Sequence, residues 1–309
     1  MNARSLRASL VLIPVAALVA FGPAVAARSQ GVEKSIFVSV LDAQNKPITD
    51  LTAAEFGVRE DNVIREVTSV KKATQPLYIQ ILADTTKEAG ASGMMSKADT
   101  GAGASELIRD IRTSLTNLVR HINTNSPDAQ MGLMEFGQAA RPLQDYTNKL
   151  PDLEKGINRL FPQPNADSVL LEAIIESSKQ LAKKPSPRRA VMILNIEPGE
   201  EQSREPANKI MQTFAEARAS MWAVSLQRGA LKNPARDVVL NRLTQITGGR
   251  REFIVGQSAI EGWLKIYADA LLNQYEVTYK RPEDKPAQQV ATGVARQGAK
   301  AYASYFPPK

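Results

Sequence analysis

Apolar positions follow two rhythms along this chain, and the change between them falls near residue 77. From there to residue 273, short apolar runs typical of buried strands alternate with stretches whose apolar residues recur every three or four positions. The strand-like runs are 77–83, 131–136, 190–194, 221–226 and 253–255. Strands that alternate with helices need crossover connections. The pattern therefore predicts an α/β fold with a doubly wound, mainly parallel, Rossmann-like sheet and helices on both of its faces.

The segments that flank this region have the period of β-strands. Strand candidates at 35–42, 56–59 and 63–70 come before it, and candidates at 275–279, 289–294 and 300–305 come after it. Each group alone has too few strands to be stable. We therefore expect 28–74 and 274–309 to combine into one small β-sandwich-like module, beside a single α/β domain at 75–273.

The first 27 residues have the pattern of a secretory signal peptide. Arg4 and Arg7 precede an apolar run that ends at Gly22 and Pro23, and small residues follow at 24–27. An uncleaved anchor helix is the alternative, but the run is short for a membrane span and ends in a helix breaker. The pattern predicts a cleaved leader at 1–27 and a periplasmic or secreted protein with no further transmembrane segment.

The composition disfavours several kinds of active site. The chain has no cysteine, which rules out disulfides and thiol catalysis, and a single histidine, His121, on the polar side of a predicted helix. A zinc site needs several nitrogen or sulfur ligands, and a nucleophile–base pair needs a partner for the histidine. The formal net charge is +7, with the basic residues spread along the chain. Nucleic-acid binding and enzymatic activity are therefore not expected.

Several short elements occur in an order and spacing that resemble a known family. They are Asp-Thr-Thr at 84–86, Thr-Gly-Gly-Arg at 247–250, Asn-Gln-Tyr at 273–275, and the β-rich segments 40–61 and 298–308. In these features the chain resembles the VWFA-related domain proteins of the acidobacterial type, which belong to the von Willebrand factor A-like (vWA-like) proteins. The resemblance extends over nearly all of the chain that follows the leader.

The resemblance implies that ligands bind beyond the carboxyl ends of the central strands, often at a metal ion-dependent adhesion site. Such a site combines hydroxyl and carboxylate oxygens, which suit Mg²⁺ or Mn²⁺ and leave one position for a partner's carboxylate. Matched position by position to that pattern, the metal-site residues of this chain are Asp84, Thr86, Glu88, Ser168 and Glu197.

Two of these positions depart from the pattern. Glu88 replaces a serine, and Ile196 falls at the last aspartate position, which Glu197 would fill only after a backbone shift of one residue. The resemblance thus implies a degenerate site: no tightly bound cofactor is expected, and weak binding of Mg²⁺ or Mn²⁺ stays open. In the structural alternative, Asp84, Thr86 and Ser168 only accept hydrogen bonds from backbone amides at helix starts.

A protein-binding rim is expected at the same edge of the sheet. Its predicted residues are Asp84, Thr86, Met94, Met95, Ser168 and Glu200. The two methionines lie in a Gly-, Ala- and Ser-rich insertion at 89–104, and Glu200 lies in an acidic loop at 197–205 that is expected to be exposed. These features favour a non-enzymatic protein that binds a protein partner, as in adhesion or scaffolding.

Two other functions stay open. One is a structural component of the cell envelope, which docks through its β module while its rim is vestigial. The other is a hydrolase that uses the acidic loop residues Glu197 and Glu200.

Overall fold

The computed structural model describes residues 31–86, 102–163, 165–197, 199–228, 234–282, 287 and 290–304. The predicted leader at 1–27 lies outside these residues, and so do Glu88, Met94 and Met95. Within the described part, no helix combines the length and the apolar character that crossing a bilayer requires.

Thirteen strands and six α-helices make up the described chain. In chain order the strands are β1 (Val32–Leu41), β2 (Phe56–Glu60), β3 (Val63–Arg65), β4 (Val67–Lys72), β5 (Tyr78–Asp84), β6 (Gln130–Phe136), β7 (Ala140–Thr147), β8 (Arg189–Glu197), β9 (Ser220–Gln227), β10 (Arg250–Ile254), β11 (Tyr275–Arg281), β12 (Val290–Val294) and β13 (Lys300–Ser304). The helices are α1 (Ala102–Asn125), α2 (Leu150–Ile157), α3 (Leu170–Ala182), α4 (Ala207–Ala217), α5 (Pro234–Ile246) and α6 (Ile260–Leu272).

A six-stranded sheet with the order β10-β9-β8-β5-β6-β7 forms the centre of the α/β region. Only β7, at one edge, is antiparallel to its neighbour; the other pairs are parallel. The predicted mainly parallel sheet is confirmed, with β5 and β8 side by side. From β5 the chain first builds the sheet toward β7 and then toward β10. The crevice at the carboxyl ends of β5 and β8 is therefore a topological switch point, where sheets of this kind bind ligands.

Helices cover both faces of this sheet, as the sequence predicts. Alternate residues of β5 show the reason, because Ile79 and Ile81 pack among residues of α1, α2 and α6, whereas Leu82 packs among residues of α3, α4 and α5. Successive side chains of a strand point to opposite faces, so a strand with apolar residues on both faces must be covered on both sides.

The segments on either side of the α/β region form the predicted β module. A four-stranded sheet, β13-β1-β11-β4, and a three-stranded sheet, β12-β2-β3, consist entirely of antiparallel pairs. Between them lies a separate apolar core that includes Val38, Phe56, Val58 and Val277. The expectation of one strand at 63–70 is wrong, because the chain divides at Glu66 and gives one strand to each sheet.

The Thr-Gly-Gly element brings the module close to the α/β region. Gly248 has a φ of +66°, and a Cβ there would lie 2.0 Å from the carbonyl oxygen of Ala303 in β13. A Cβ on Gly249 would lie 1.7 Å from the carbonyl oxygen of Met221 in β9. Both positions require glycine because backbone passes where a side chain would begin. This approach lets Tyr302 of β13 pack against Trp222 of β9, with ring centroids 5.8 Å apart.

The last strand of the α/β region begins earlier than the apolar pattern suggests. Residues 253–255 are the expected strand, but β10 begins at Arg250 and Val255 is 82% exposed. The reason is register: Arg250 to Ile254 pair in parallel with Trp222 to Leu226 of β9. Pairing with a buried strand overrides the local apolar signal.

Candidate functional site

Asp84 ends β5 at the switch point and is completely buried. Its Oδ1 accepts hydrogen bonds from the amide nitrogen of Thr86 at 2.9 Å and from the Thr86 hydroxyl at 2.6 Å. Its Oδ2 accepts one from the amide nitrogen of Ile196 at 2.8 Å, across the crevice in β8. Burial raises the pKa of Asp84, against the opposing effects of Arg236 and of these hydrogen bonds. Both carboxylate oxygens are thus bound to donors of the protein itself.

Ser168 lies just before α3 and reaches the other side of the same crevice. Its backbone bonds to the loop that follows β8, through the carbonyl of Glu200 and the amide of Gln202, both at 2.7 Å. Its hydroxyl donates to Oε2 of Glu201 at 3.1 Å and accepts a bond from the amide of Leu170 at 3.2 Å. The hydroxyl therefore serves as a helix-start acceptor and, at the same time, holds the carboxylate of Glu201.

Arg236, from the first turn of α5, fills the space between these groups. Its Nη1 lies 3.2 Å from Oε1 of Glu197, its Nε lies 3.2 Å from Oε2 of Glu201, and its Nη1 donates to the carbonyl of Ile196 at 3.3 Å. Arg251 of β10 adds a second guanidinium, 3.2 Å from Glu197. We call Asp84, Ser168, Glu197, Glu201 and Arg236 the Arg236 cluster.

The cluster corrects two expectations about the acidic loop. Glu197 is not exposed but buried at the end of β8, where Oε1 also accepts a bond from Asn195 at 2.7 Å. The side chain of Glu201 is only 2% exposed, although it follows the exposed Glu200. Charged side chains are buried when a counter-charge accompanies them. Here that charge is Arg236, which has no part in the sequence-based expectation for the site.

The described residues do not fit the divalent ion that the resemblance implies. Asp84 has no carboxylate oxygen free of protein donors, and the place of the last aspartate is taken by the backbone amide of Ile196. Glu197 and Glu201 each direct a carboxylate oxygen at the guanidinium of Arg236 and not at a shared metal position. Within the described chain, no group of three or more histidine, aspartate or glutamate side chains could hold a metal ion. A divalent ion needs several oxygens that converge on one point.

A cleft of about 360 Å³ lies at the carboxyl end of β6, on the other side of β5. Its lining residues are Glu135, Gln138, Ala139, Arg141, Arg159, Phe161, Pro162 and Gln163. We call it the Phe161 cleft. Phe161 is 61% exposed, and the guanidinium carbon of Arg112 lies 4.3 Å from the centre of its ring. A large exposed aromatic side chain beside a concave surface is typical of a binding contact.

Glu135 forms the buried floor of this cleft. The side chain is 1% exposed, its Oε1 accepts a bond from Nε of Arg141 at 2.7 Å, and its Oε2 has no hydrogen-bond partner among the described residues. Gln163 connects the cleft to β5, because its Nε2 lies 3.2 Å from the hydroxyl of Thr85 and 3.4 Å from Oε1 of Glu135. The sequence pattern gives no signal for this cleft, since its residues come from two segments, 135–141 and 159–163, that are separated in the chain by a helix.

The structure therefore brings together four of the predicted site residues, Asp84, Thr86, Ser168 and Glu197, and buries all of them. Glu200 lies at the surface beside them, with its carbonyl bound to Ser168. The sequence predicts that they lie together, because each comes at the carboxyl edge of the predicted sheet. It does not predict the burial, which depends on Arg236.

Comparison with known proteins bears on the fold. No protein-family model matches the sequence, and no curated protein matches it significantly. A point mutant of the PilB minor pilin from Streptococcus sanguinis superposes with a TM-score of 0.50 at 8% identity, over 65% of this chain and 62% of the pilin. This chain thus spans less than two-thirds of that pilin's length.

Two further neighbours carry the domain in their descriptions. The vWF domain of the type V pili tip protein Mfa5 from Porphyromonas gingivalis has a TM-score of 0.48 and 8% identity, over 64% of this chain and 96% of the domain. The von Willebrand factor type A protein from Catenulispora acidiphila has a TM-score of 0.47 and 10% identity, over 91% of this chain and 74% of its own. This chain has a six-stranded, mainly parallel sheet with helices on both faces, and proteins described as vWA domains are among its structural neighbours.

Proposed function

We propose that this chain is an exported, non-enzymatic protein-binding module of the adhesion or scaffolding type, with a degenerate metal ion-dependent adhesion site. The observation that carries the proposal is the Phe161 cleft, which places an exposed aromatic ring and a concave surface at the ligand-binding edge of the sheet. Among the described residues of this edge, those of the predicted metal site are buried and bound to protein groups, so we assign partner binding to the cleft.

The charges around the cleft favour an acidic partner. Arg112, Arg141 and Arg159 surround it, against the single carboxylate of Glu135. The side chain of Arg141 is 59% exposed, and Arg159 also lies at the surface. An arginine at the surface presents a fork of donors that matches a carboxylate. A partner segment with an acidic side chain next to an apolar one would therefore pair with the arginines and cover Phe161.

Binding to a purified partner tests this proposal. The partner is first obtained by cross-linked capture from the native cell envelope, and its affinity for the full-length mature chain is then measured by calorimetry. Phe161→Ala should weaken binding about tenfold or more, because a buried aromatic anchor contributes at least 1–2 kcal/mol. Arg159→Glu should weaken it further by reversing a charge.

Phe253→Ala is the matched control. Phe253 is also partly exposed, at 46%, and also lies under a guanidinium, that of Arg251 at 4.3 Å, but it belongs to the distant edge strand β10. It should leave the affinity unchanged. Equal losses for Phe161→Ala and Phe253→Ala, or no loss for Phe161→Ala, would remove the cleft from the proposal.

A non-enzymatic role is supported by the state of the candidate catalytic residues. Glu197 is buried and paired with Arg236 and Arg251, so it lacks the access to substrate that a general acid or base needs. A broad hydrolase screen of the mature protein should detect no turnover. Turnover that disappears in Glu197→Gln or Glu200→Gln would establish the hydrolase alternative instead.

Export is proposed from the leader at 1–27. Expression of the full chain followed by fractionation and intact mass measurement should give a periplasmic or secreted species that lacks 26 or 27 residues. A full-length species in the membrane fraction would favour an uncleaved anchor.

The second candidate, a structural component that docks through its β module, is favoured by one surface. The three-stranded sheet exposes Val63 and Ile64, with Ile64 70% exposed, and lines a groove of about 520 Å³. Ile64→Lys should then abolish recruitment to the envelope, whereas Phe161→Ala should not. The opposite result supports binding at the cleft.

A further inference from the structure

Arg236 is completely buried, an uncommon position for a single arginine. Its guanidinium contacts Glu197, Glu201 and the carbonyl of Ile196 at 3.2 to 3.3 Å. The three contacts come from β8 and from the loop that follows it, while the arginine itself comes from α5. The side chain therefore connects two elements at the switch point of the sheet.

The charge of Arg236 is needed at this place. An arginine guanidinium is always protonated at physiological pH, and here two carboxylates, those of Glu197 and Glu201, lie 3.2 Å from it. Oε2 of Glu197 has no hydrogen-bond partner among the described residues, so nearby positive charge must compensate for its burial. Without a cation, the buried carboxylates of Asp84, Glu197 and Glu201 would repel one another in a medium of low dielectric.

The backbone of the loop after β8 passes close to the guanidinium of Arg236. A Cβ on Gly199 would lie 3.1 Å from Nη2 of Arg236, so the loop after β8 passes directly beside it. Oε2 of Glu201 accepts hydrogen bonds from Nε of Arg236 and from the hydroxyl of Ser168. Ser168 is one of the residues that the resemblance assigns to the metal. Of the residues that the resemblance assigns to the metal, the arginine contacts Glu197 directly and reaches Ser168 through Glu201.

We infer that Arg236 is a resident cation that takes the place of the divalent ion at the carboxyl edge of this vWA-like domain. Because the cation is part of the chain, it cannot dissociate, and the edge keeps one arrangement whether or not metal is present. A buried guanidinium also offers no open coordination position, so a partner's acidic group does not bind at Asp84. Arg236 is a positioning residue: it acts through the carboxylates and the loop that it holds.

The wild-type protein provides the first test. Mn²⁺ titrated into the full-length mature chain should keep the electron paramagnetic resonance amplitude of the free ion, and Mg²⁺ or a chelator should leave the melting temperature unchanged. An ion present at about a hundred times its dissociation constant would raise the melting temperature by several degrees. Bound Mn²⁺ that disappears in Asp84→Asn or Ser168→Ala would overturn the inference. Bound Mn²⁺ that survives both variants lies elsewhere and leaves the inference standing.

Charge removal provides the second test. Arg236→Met should lower the melting temperature by roughly 10 °C, because it leaves the buried carboxylate of Glu201 without a cation and that of Glu197 with Arg251 alone. The variant that combines Arg236→Met with Glu197→Gln and Glu201→Gln should recover at least half of that loss, since it removes the uncompensated charges as well. A combined variant less stable than Arg236→Met alone would show that the arginine serves in packing and not as a cation.

One control variant and one further use of the combined variant complete this test. Arg159→Met, at the exposed rim of the Phe161 cleft, should change the melting temperature by no more than a few degrees. If Arg236→Met does not fold, the combined variant still decides, because a folded combined variant shows that the charges caused the failure. The inference shares the degenerate metal site with the proposed function, but neither test involves the Phe161 cleft or a partner, so its failure is distinguishable from a failure of binding at the cleft.

Discussion

The two halves of the carboxyl edge contain the same pair of residue types in opposite settings. In the Arg236 cluster, a buried glutamate meets a buried arginine at 3.2 Å. In the Phe161 cleft, the buried Glu135 meets Arg141 at 2.7 Å, but 59% of that arginine's side chain is exposed. The shorter contact is expected to contribute less to stability, because water and salt compete with an exposed ion pair. Distance alone therefore does not rank these pairs; the solvent around the cation does.

The difference in exposure also determines which arginine stabilises the fold and which is available to a partner. Arg236 is held by Glu197, Glu201 and the backbone of β8, and moving it would leave charges buried. Most of the Arg141 side chain is in solvent, and water in the cleft can replace its contact with Glu135 when it turns toward a partner. The Arg236 half therefore maintains the edge of the sheet, whereas the cleft half is the part suited to recognition.

The largest effect on stability should come from replacing Arg236, with the replacement of Arg141 as the comparison. Arg236→Met should lower the free energy of unfolding by about 3–5 kcal/mol, because it leaves Glu201 buried without a cation and Glu197 with Arg251 alone. Arg141→Met should lower it by only about 1 kcal/mol, because Glu135, although buried, lines a cleft that water can enter once the arginine side chain is gone. Urea unfolding followed by circular dichroism measures both. Equal losses would mean that the two halves do not differ as described.

A smaller effect should come from Ser168→Ala. The hydroxyl donates to Glu201 and accepts from the amide of Leu170, and both groups are buried or nearly so. Its loss should cost about 1–2 kcal/mol in urea unfolding, since it leaves polar groups unsatisfied. The control is Ser35→Ala, whose hydroxyl pairs with Thr278 in an exposed position and should cost less than about 0.5 kcal/mol. A loss for Ser35→Ala as large as that for Ser168→Ala would contradict the assignment.

The smallest effect on stability should come from Phe161→Ala. Because the ring is 61% exposed, its removal should change the free energy of unfolding by no more than about 0.5 kcal/mol. The same change should weaken partner binding about tenfold. A loss of stability above about 2 kcal/mol would show instead that Phe161 supports the fold, and the comparison between the two halves would then fail.

The salt concentration should affect the Arg236 cluster and the Phe161 cleft differently. Ion pairs in solvent are screened over about 8 Å at physiological ionic strength, whereas buried pairs are screened far less. Raising the salt concentration should weaken partner binding at the Phe161 cleft and leave the stability difference between wild type and Arg236→Met unchanged. Titrations at several salt concentrations measure the first effect, and parallel urea unfolding measures the second.

Much of the fold follows from local pattern. Fully apolar runs such as 190–194 require cover on both faces, and their alternation with helical segments requires parallel pairing. The position of Asp84 and Ser168 near one another follows from the same reasoning, because each comes at the carboxyl side of the sheet. The division of 63–70 into two strands does not follow, since it depends on which sheet each half meets.

Local pattern determined the alternation of strands and helices, the joining of the two β segments and the edge at which the candidate residues gather, because side-chain period and chain connectivity act along the sequence. Only the tertiary structure decided that Glu197 and Glu201 face inward and that Arg236 lies between them. Nothing near Arg236 in the sequence marks it as buried: it is an ordinary charged residue in the first turn of α5. Its burial depends on carboxylates 35 and 39 positions earlier, and electrostatic pairing over that separation exists only once the chain has folded.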